Sequence, residues 1–197
     1  MIIFGIALTF TKILPYNKFK EYAPVHGHII FQSLPYNDLV MAIEGVSQSK
    51  YSHCGIVCQK NGAWYVLEAI GPVKYTPLYE WVQRGREQHF WIYEFNDKQI
   101  DVDGLILEAE KFLDKPYDVQ YDLDDKKIYC SELIYKAYKG LRDQELGKLV
   151  KLGDMPWEEY TKTIQKYEQG PPPLERLMIT PVNLSKASQL TIKHVSE

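Results

Sequence analysis

Ser52-His53-Cys54-Gly55-Ile56-Val57-Cys58-Gln59-Lys60-Asn61-Gly62-Ala63-Trp64-Tyr65-Val66-Leu67-Glu68-Ala69-Ile70 decides how this chain folds. Asn-Gly between two runs rich in β-branched and aromatic residues is a strong hairpin signal. A two-residue type I′ turn needs positive φ at both positions, and these two residue types tolerate it best. With Asn61 and Gly62 as the loop, Lys60 faces Ala63, Gly55 faces Glu68 and His53 faces Ile70. Side chains alternate along a strand. His53, Gly55, Val57, Glu68 and Ile70 therefore share one face, while Cys54, Ile56, Cys58, Tyr65, Leu67 and Ala69 share the other, which reads as core. His53 and Glu68 become diagonal neighbours with backbones roughly 7–8 Å apart. Their side chains can close that gap, and Gly55 leaves room for the carboxylate to lean toward the imidazole. Glu68 would then fix the tautomer of His53 and stabilise its charged form.

Working outward, residues 25–31 read as a strand and 37–46 as a short helix on the spacing of Leu39, Ala42, Ile43 and Val46. Beyond the hairpin, 73–76 is extended, 78–84 helical and 89–95 a strand. Leu105, Ala109, Phe112 and Leu113 give 101–113 a helical stripe, which Pro116 ends. Residues 117–127 are polar and loop-like. Cys130, Leu133, Ile134, Ala137 and Leu141 form one apolar stripe over 130–141. The tail carries a short helix around 157–167, a Pro171-Pro172-Pro173 break and a strand-like 177–180. There is no internal repeat. This order predicts an α+β fold, a small antiparallel sheet packed against helices, in one domain spanning 1–197.

Cys130 stands where the polar loop passes into a helix. Unpaired N–H groups and the helix dipole favour a thiolate there, and the same N–H groups can receive an oxyanion. A lone cysteine is more often a small buried hydrophobe. Against that stands the combination: Cys130 as nucleophile, His53 as base and Glu68 as orienter supply the three parts of a cysteine hydrolase from separate stretches.

Composition narrows the function classes. The net charge of −3 leaves no basic stripe, so nucleic acid is not an expected partner. Fifteen tyrosines and four tryptophans favour strands and an aromatic-lined cleft. Three cysteines are too few and too odd in number for a disulfide framework. Cys54 and Cys58 on one strand are too far apart to bridge easily. Residues 1–14 are apolar but too short for a transmembrane helix, and no such span is expected. They are either a signal-like h-region or a packed terminal segment, which leaves an exported and a cytoplasmic location both open. His26 and His28 would share a strand face, but a pair is weak support for a metal, and neither metal nor cofactor is expected.

Tyr51-Ser52-His53-Cys54-Gly55-Ile56-Val57, Val66-Leu67-Glu68-Ala69 and Tyr129-Cys130-Ser131-Glu132-Leu133 together resemble the YiiX-like group. This is a circularly permuted branch of the NlpC/p60 superfamily of papain-like cysteine hydrolases. Pro116-Tyr117-Asp118 is similar to the family's P-Y-D segment, and Thr180-Pro181-Val182-Asn183-Leu184 extends the likeness more weakly. Where members often carry G-D-[IL]-[IV]-F, this chain has Gly27-His28-Ile29-Ile30-Phe31. The resemblance implies a permuted papain-like fold in which His53 precedes Cys130. It assigns Cys130 as nucleophile, His53 as base and Glu68 as orienter. Tyr117, Ser52 and Tyr129 are further candidates for the oxyanion or substrate. The association of the family with cell-wall chemistry points to an amide bond in a peptide or amino-acyl substrate, cleaved through a thioester. A lipid-directed thiol acyltransferase or esterase would use the same three residues. A binding module that keeps the fold without catalysis is the third possibility, and its expected mark would be loss of one of the three.

Overall fold

Positive φ at Asn61 (51°) and Gly62 (79°) closes the expected two-residue turn. The computed structural model describes residues 22–196, so the apolar 1–14 segment lies outside the described residues. The chain runs β1 (Ile29–Gln32), α1 (Asp38–Val46), β2 (His53–Lys60), β3 (Ala63–Ala69), β4 (Val73–Pro77), α2 (Leu78–Arg84) and β5 (Phe90–Phe95). It continues through α3 (Val102–Glu110), α4 (Cys130–Arg142), β6 (Val150–Lys151), α5 (Thr161–Glu168), β7 (Leu177–Met178), α6 (Pro181–Ser185) and β8 (Leu190–Val195). Six strands form one antiparallel sheet in the order β4-β3-β2-β1-β5-β8, and β6 pairs separately with β7.

The hairpin register is the one the turn dictates: Lys60 pairs with Ala63 and Ile56 with Leu67. Alternation then sorts the side chains. Cys54, Ile56, Cys58, Leu67 and Ala69 join Phe31 and Trp91 in the larger core, under the Leu133, Ile134 and Ala137 stripe of α4. The opposite face is also covered, because Ile30, Val57, Val66 and Ile92 pack with Leu78, Trp81 and Val82 of α2. His53 and Glu68 therefore lie in a second, smaller core and not on an open sheet face.

Local chemistry explains most of the boundaries. Asn37 and Asp101 cap α1 and α3 by accepting the N–H groups of Val40 and Gly104. Asp143, in the left-handed region at φ 53°, ends α4. The expected strand over 25–31 begins only at Ile29, because Gly27 turns the chain with φ 88°. That turn removes the shared face on which His26 and His28 would have made a pair. His26 instead meets Asp103 and the Gln59 N–H, while His28 is buried against the Tyr22 hydroxyl. The tail adds β8 as an edge strand and α6 as a short helix.

Candidate functional site

Cys130 opens α4 and is 1% exposed. The start of that helix is tied down from both sides of one residue. The Tyr129 hydroxyl accepts the Ile179 N–H at 3.0 Å, and Ser131 Oγ donates to the Ile179 carbonyl at 2.7 Å. The Glu132 carboxylate accepts the Tyr129 N–H at 3.1 Å, which satisfies a donor at the helix entry. Tyr129 and Ser131 thus hold the cysteine in place through the tail, and the hydroxyl of Tyr129 is already engaged with Ile179.

His53 is the first residue of β2 and is 1% exposed. Its Nε2 contacts Glu68 Oε2, as the register predicts. The imidazole is also in hydrogen-bonding reach of the Cys130 side chain. Cys130 sits where the sheet ends, within reach of two successive strand residues that point to opposite faces. The Cys54 thiol and the Cys54 N–H both hydrogen-bond to the Cys130 sulfur. Cys54 is a contact that the alternation argument treats only as core. All three cysteines are free and buried.

The electrostatics follow from these contacts. The Cys54 thiol, working against burial and joined by the His53 imidazole, holds the Cys130 thiol well below its ordinary range. Burial alone would lower the pKa of His53, but its hydrogen bonds to Cys130 and Glu68 and the charge of both raise it to about 9. Burial would raise that of Glu68, yet His53 and then Arg84 hold it down, at about 2. An imidazolium between two anions is the state this arrangement favours.

Glu68 is fully buried and triply bound. Thr76 Oγ1 donates to Oε1 at 2.5 Å, and Arg84 Nη2 donates to Oε2 at 2.5 Å beside His53. Gly55 makes the close approach possible, since a Cβ there would lie 2.3 Å from Val66 Cγ1 and 3.3 Å from Glu68 Cβ. Trp81 of α2 covers the imidazole, with ring centroids 5.9 Å apart. Gln32 pairs with His53 across β1 and β2 and is fully buried. Its carboxamide finds no hydrogen-bond partner among the described residues.

The 117–127 loop turns out to be built around Asp118. Its carboxylate accepts the N–H groups of Gln120 at 3.0 Å and Asp122 at 2.6 Å, and Tyr117 bridges to Ile128. The loop thereby presents the half-buried Tyr117, whose hydroxyl is in hydrogen-bonding reach of Cys130 and lies 3.3 Å from the Tyr121 hydroxyl. Ser52 is placed otherwise: its Oγ accepts the Leu34 N–H at 2.8 Å, anchoring the chain just before β2. Among the expected residues, the structure brings together Cys130, His53, Glu68 and Tyr117, and puts Ser52 and Tyr129 in supporting bonds. Cys54, Thr76, Trp81, Arg84 and Tyr121 are additional. Thr76 was hidden by the turn: a two-residue Gly71-Pro72 loop would set it opposite Leu67 on the other face, whereas the three-residue loop 70–72 pairs Glu68 with Lys74 and makes Thr76 its diagonal neighbour. Arg84 had no legible signal, because its contact crosses from a helix end.

An apolar cavity of about 90 Å³ opens beside this centre. Leu39, Ile43 and Val46 of α1 line one wall, and Met178 and Ile179 of the tail another. Tyr121 borders both the cavity and the Tyr117 hydroxyl.

The profile of a family described as "Permuted papain-like amidase enzyme, YaeF/YiiX, C92 family" matches residues 23–192. The chain is 32% identical over 174 residues to the uncharacterized protein YiiX of Escherichia coli K12, covering 85% of each. It is also similar to a crystal structure of the metalloprotein yiiX from Escherichia coli O157:H7. The TM-score is 0.82 at 30% identity, over 87% of this chain and 97% of that one. Among the described residues here, no three His, Cys, Asp or Glu side chains converge to hold a metal ion. A six-stranded antiparallel sheet, a cysteine-headed helix and a histidine that precedes the cysteine in sequence all agree with the family match. The chain belongs to the permuted papain-like amidases of the YaeF/YiiX family, and it is an enzyme of the cysteine hydrolase class.

Proposed function

We propose that Cys130 is the nucleophile of an amide-bond hydrolase, with His53 as its proton carrier and Glu68 as the residue that orients His53. The observation that carries this reading is the buried His53 Nε2–Glu68 Oε2 contact beside Cys130, whose thiol Cys54 and His53 hold well below its ordinary range. His53 Nε2 is committed to Glu68, so Nδ1 is the nitrogen available to the sulfur. The thiol proton passes to His53, and the thiolate attacks the amide carbonyl. The resulting oxyanion lies near the start of α4, where the Tyr117 hydroxyl and the helix N–H groups can receive it. The intermediate collapses with cleavage of the C–N bond, and His53 gives its proton to the departing amine. Water, deprotonated by His53, then attacks the thioester, releasing a carboxylate and restoring Cys130. The leading substrate class is a peptide or amino-acyl amide.

The cavity beside Tyr121 supports a second reading, in which the acyl group is aliphatic and the substrate is a lipid amide or ester. The lining is almost wholly apolar, and burial of methylene groups there would contribute about 0.8 kcal/mol each. Two panels separate the readings: peptidyl amides of differing charge, and amides and esters of fatty acids graded by chain length. Turnover rising with chain length supports the lipid reading, and turnover confined to the peptidyl panel supports the first. Mass mapping of an acyl adduct on Cys130 tests the shared mechanism. An adduct on Cys54 or Cys58, with Cys130 unmodified, would overturn it. Inactivity toward both panels together with tight ligand binding would favour a binding module.

A further inference from the structure

Glu68 is held from a direction that the hydrolase mechanism does not require. Oε2 accepts from His53 and also from Arg84, the last residue of α2. The side chain of Glu68 is 0% exposed and that of Arg84 is 28% exposed, so the ion pair runs from the interior toward solvent. Thr76 adds a neutral donor to Oε1 from β4.

Proton traffic gives this arrangement its consequence. When His53 has released its proton to the leaving group, a fully buried Glu68 with no other cation would stand as an isolated charge. Such a carboxylate neutralises itself by taking up a proton. It would compete for the proton that His53 must carry, and its protonated form would no longer accept from Nε2–H. A guanidinium is always charged, so it keeps Glu68 ionised whether His53 is charged or neutral. Sharing Oε2 with His53 also keeps the carboxylate from binding the imidazolium too tightly.

We infer that Arg84 is a positioning residue for the Cys130–His53–Glu68 centre, pinning Glu68 as a permanent anion so that His53 can release a proton as readily as it takes one. This rests on the triad reading proposed above. The groups facing the pair are known from every side: Cys54 from β2, Cys130 from α4, Arg84 from α2, and Tyr117 and Tyr121 from the preceding loop. Among these, Arg84 is the fixed positive charge.

The test is a titration of the His53 ring nitrogens by long-range 1H–15N NMR through the alkaline range, in the wild type, Arg84→Gln and Arg84→Lys. Removing the cation should raise the His53 midpoint by about one pH unit, with Arg84→Lys staying near the wild type. Hydrolysis at neutral pH should fall in Arg84→Gln and recover in Arg84→Lys, while alkylation of Cys130 stays unchanged. A midpoint unmoved or lowered in Arg84→Gln would reduce Arg84 to a structural clip between α2 and the sheet. Should Arg84→Gln fail to fold, Arg84→Lys still decides, since a midpoint displaced from the wild type overturns the role of charge. A wild-type His53 midpoint indifferent to Cys130→Ser would overturn the triad reading itself, and this inference with it.

Discussion

Gly55 lies so close to Val66 that a methyl group there would have to displace it: a Cβ on Gly55 would sit 2.3 Å from Val66 Cγ1, 3.0 Å from the Leu67 carbonyl oxygen and a tight 3.3 Å from Glu68 Cβ. The backbone of Gly55 is ordinary strand, so the requirement is for space and not for unusual φ. Gly55→Ala should displace Glu68 from His53 and overpack the smaller core, costing about 1–3 kcal/mol. Denaturant titration measures the stability, and hydrolysis measures the loss of alignment. Full activity at wild-type stability would mean that the strand accommodates a methyl group freely.

The ionised pair predicts a stability maximum with two flanks. Glu68 is held at about 2 against an ordinary 4.5, so its contribution is present above pH 4.5 and disappears as pH falls toward 2. His53 is raised to about 9 against 6.5, so its contribution is complete below pH 6.5 and disappears as pH rises through 9. Unfolding free energy across pH should therefore decline on both sides of this range. His53→Gln should flatten the alkaline flank, and an alkaline decline identical to that of the wild type would count against the assignment.

Gln32 should be a site where stability is given up. Its buried carboxamide has no partner among the described residues, and leaving such a group unsatisfied costs about 1–3 kcal/mol. Gln32→Met retains the volume without the amide. It should be more stable by about 1 kcal/mol, visible as a Tm higher by about 2–4 °C for a chain of this size. A less stable variant would reveal a hydrogen-bonding role for the amide beside His53.

Removing the triad members should be far more costly to turnover than to folding. Cys130→Ala and Glu68→Gln are each expected to lower kcat/KM by roughly a thousandfold or more, and the double variant by scarcely more than the worse single one. Multiplicative losses in the double variant would mean that the two side chains act independently.

Much of this was legible because β-strand geometry is arithmetic once a turn is known. Asn61-Gly62 gave the register, and the register gave the His53–Glu68 contact. The Cys130 stripe likewise predicted a helix that the structure places over Cys130–Arg142. What was hidden depended on residues far apart in sequence. The edge strand β8 carries only a short alternation, Leu190-Thr191-Ile192-Lys193, and its Ile192 is exposed, so the pattern is too brief to stand out. The strand expected over 25–31 is shorter in the structure because Gly27 spends its freedom on a turn. Cys54 looked like simple core because alternation sends its side chain away from His53. That rule does not anticipate a helix terminus arriving at the strand's end, where both residues touch one sulfur. Arg84 and Trp81 reached the centre through the fold of α2 over the sheet, which no local pattern encodes.

The two bonds from Tyr129 and Ser131 to Ile179 also bear on timing during synthesis. The helix that Cys130 opens is seated by a residue translated 49 positions after Cys130, so the proposed thiol, imidazole and carboxylate are all synthesised before the residue that holds that helix start. Ser131→Ala, which removes one of the two bonds for about 1–3 kcal/mol, should lengthen the lag between completion of the chain and its first turnover.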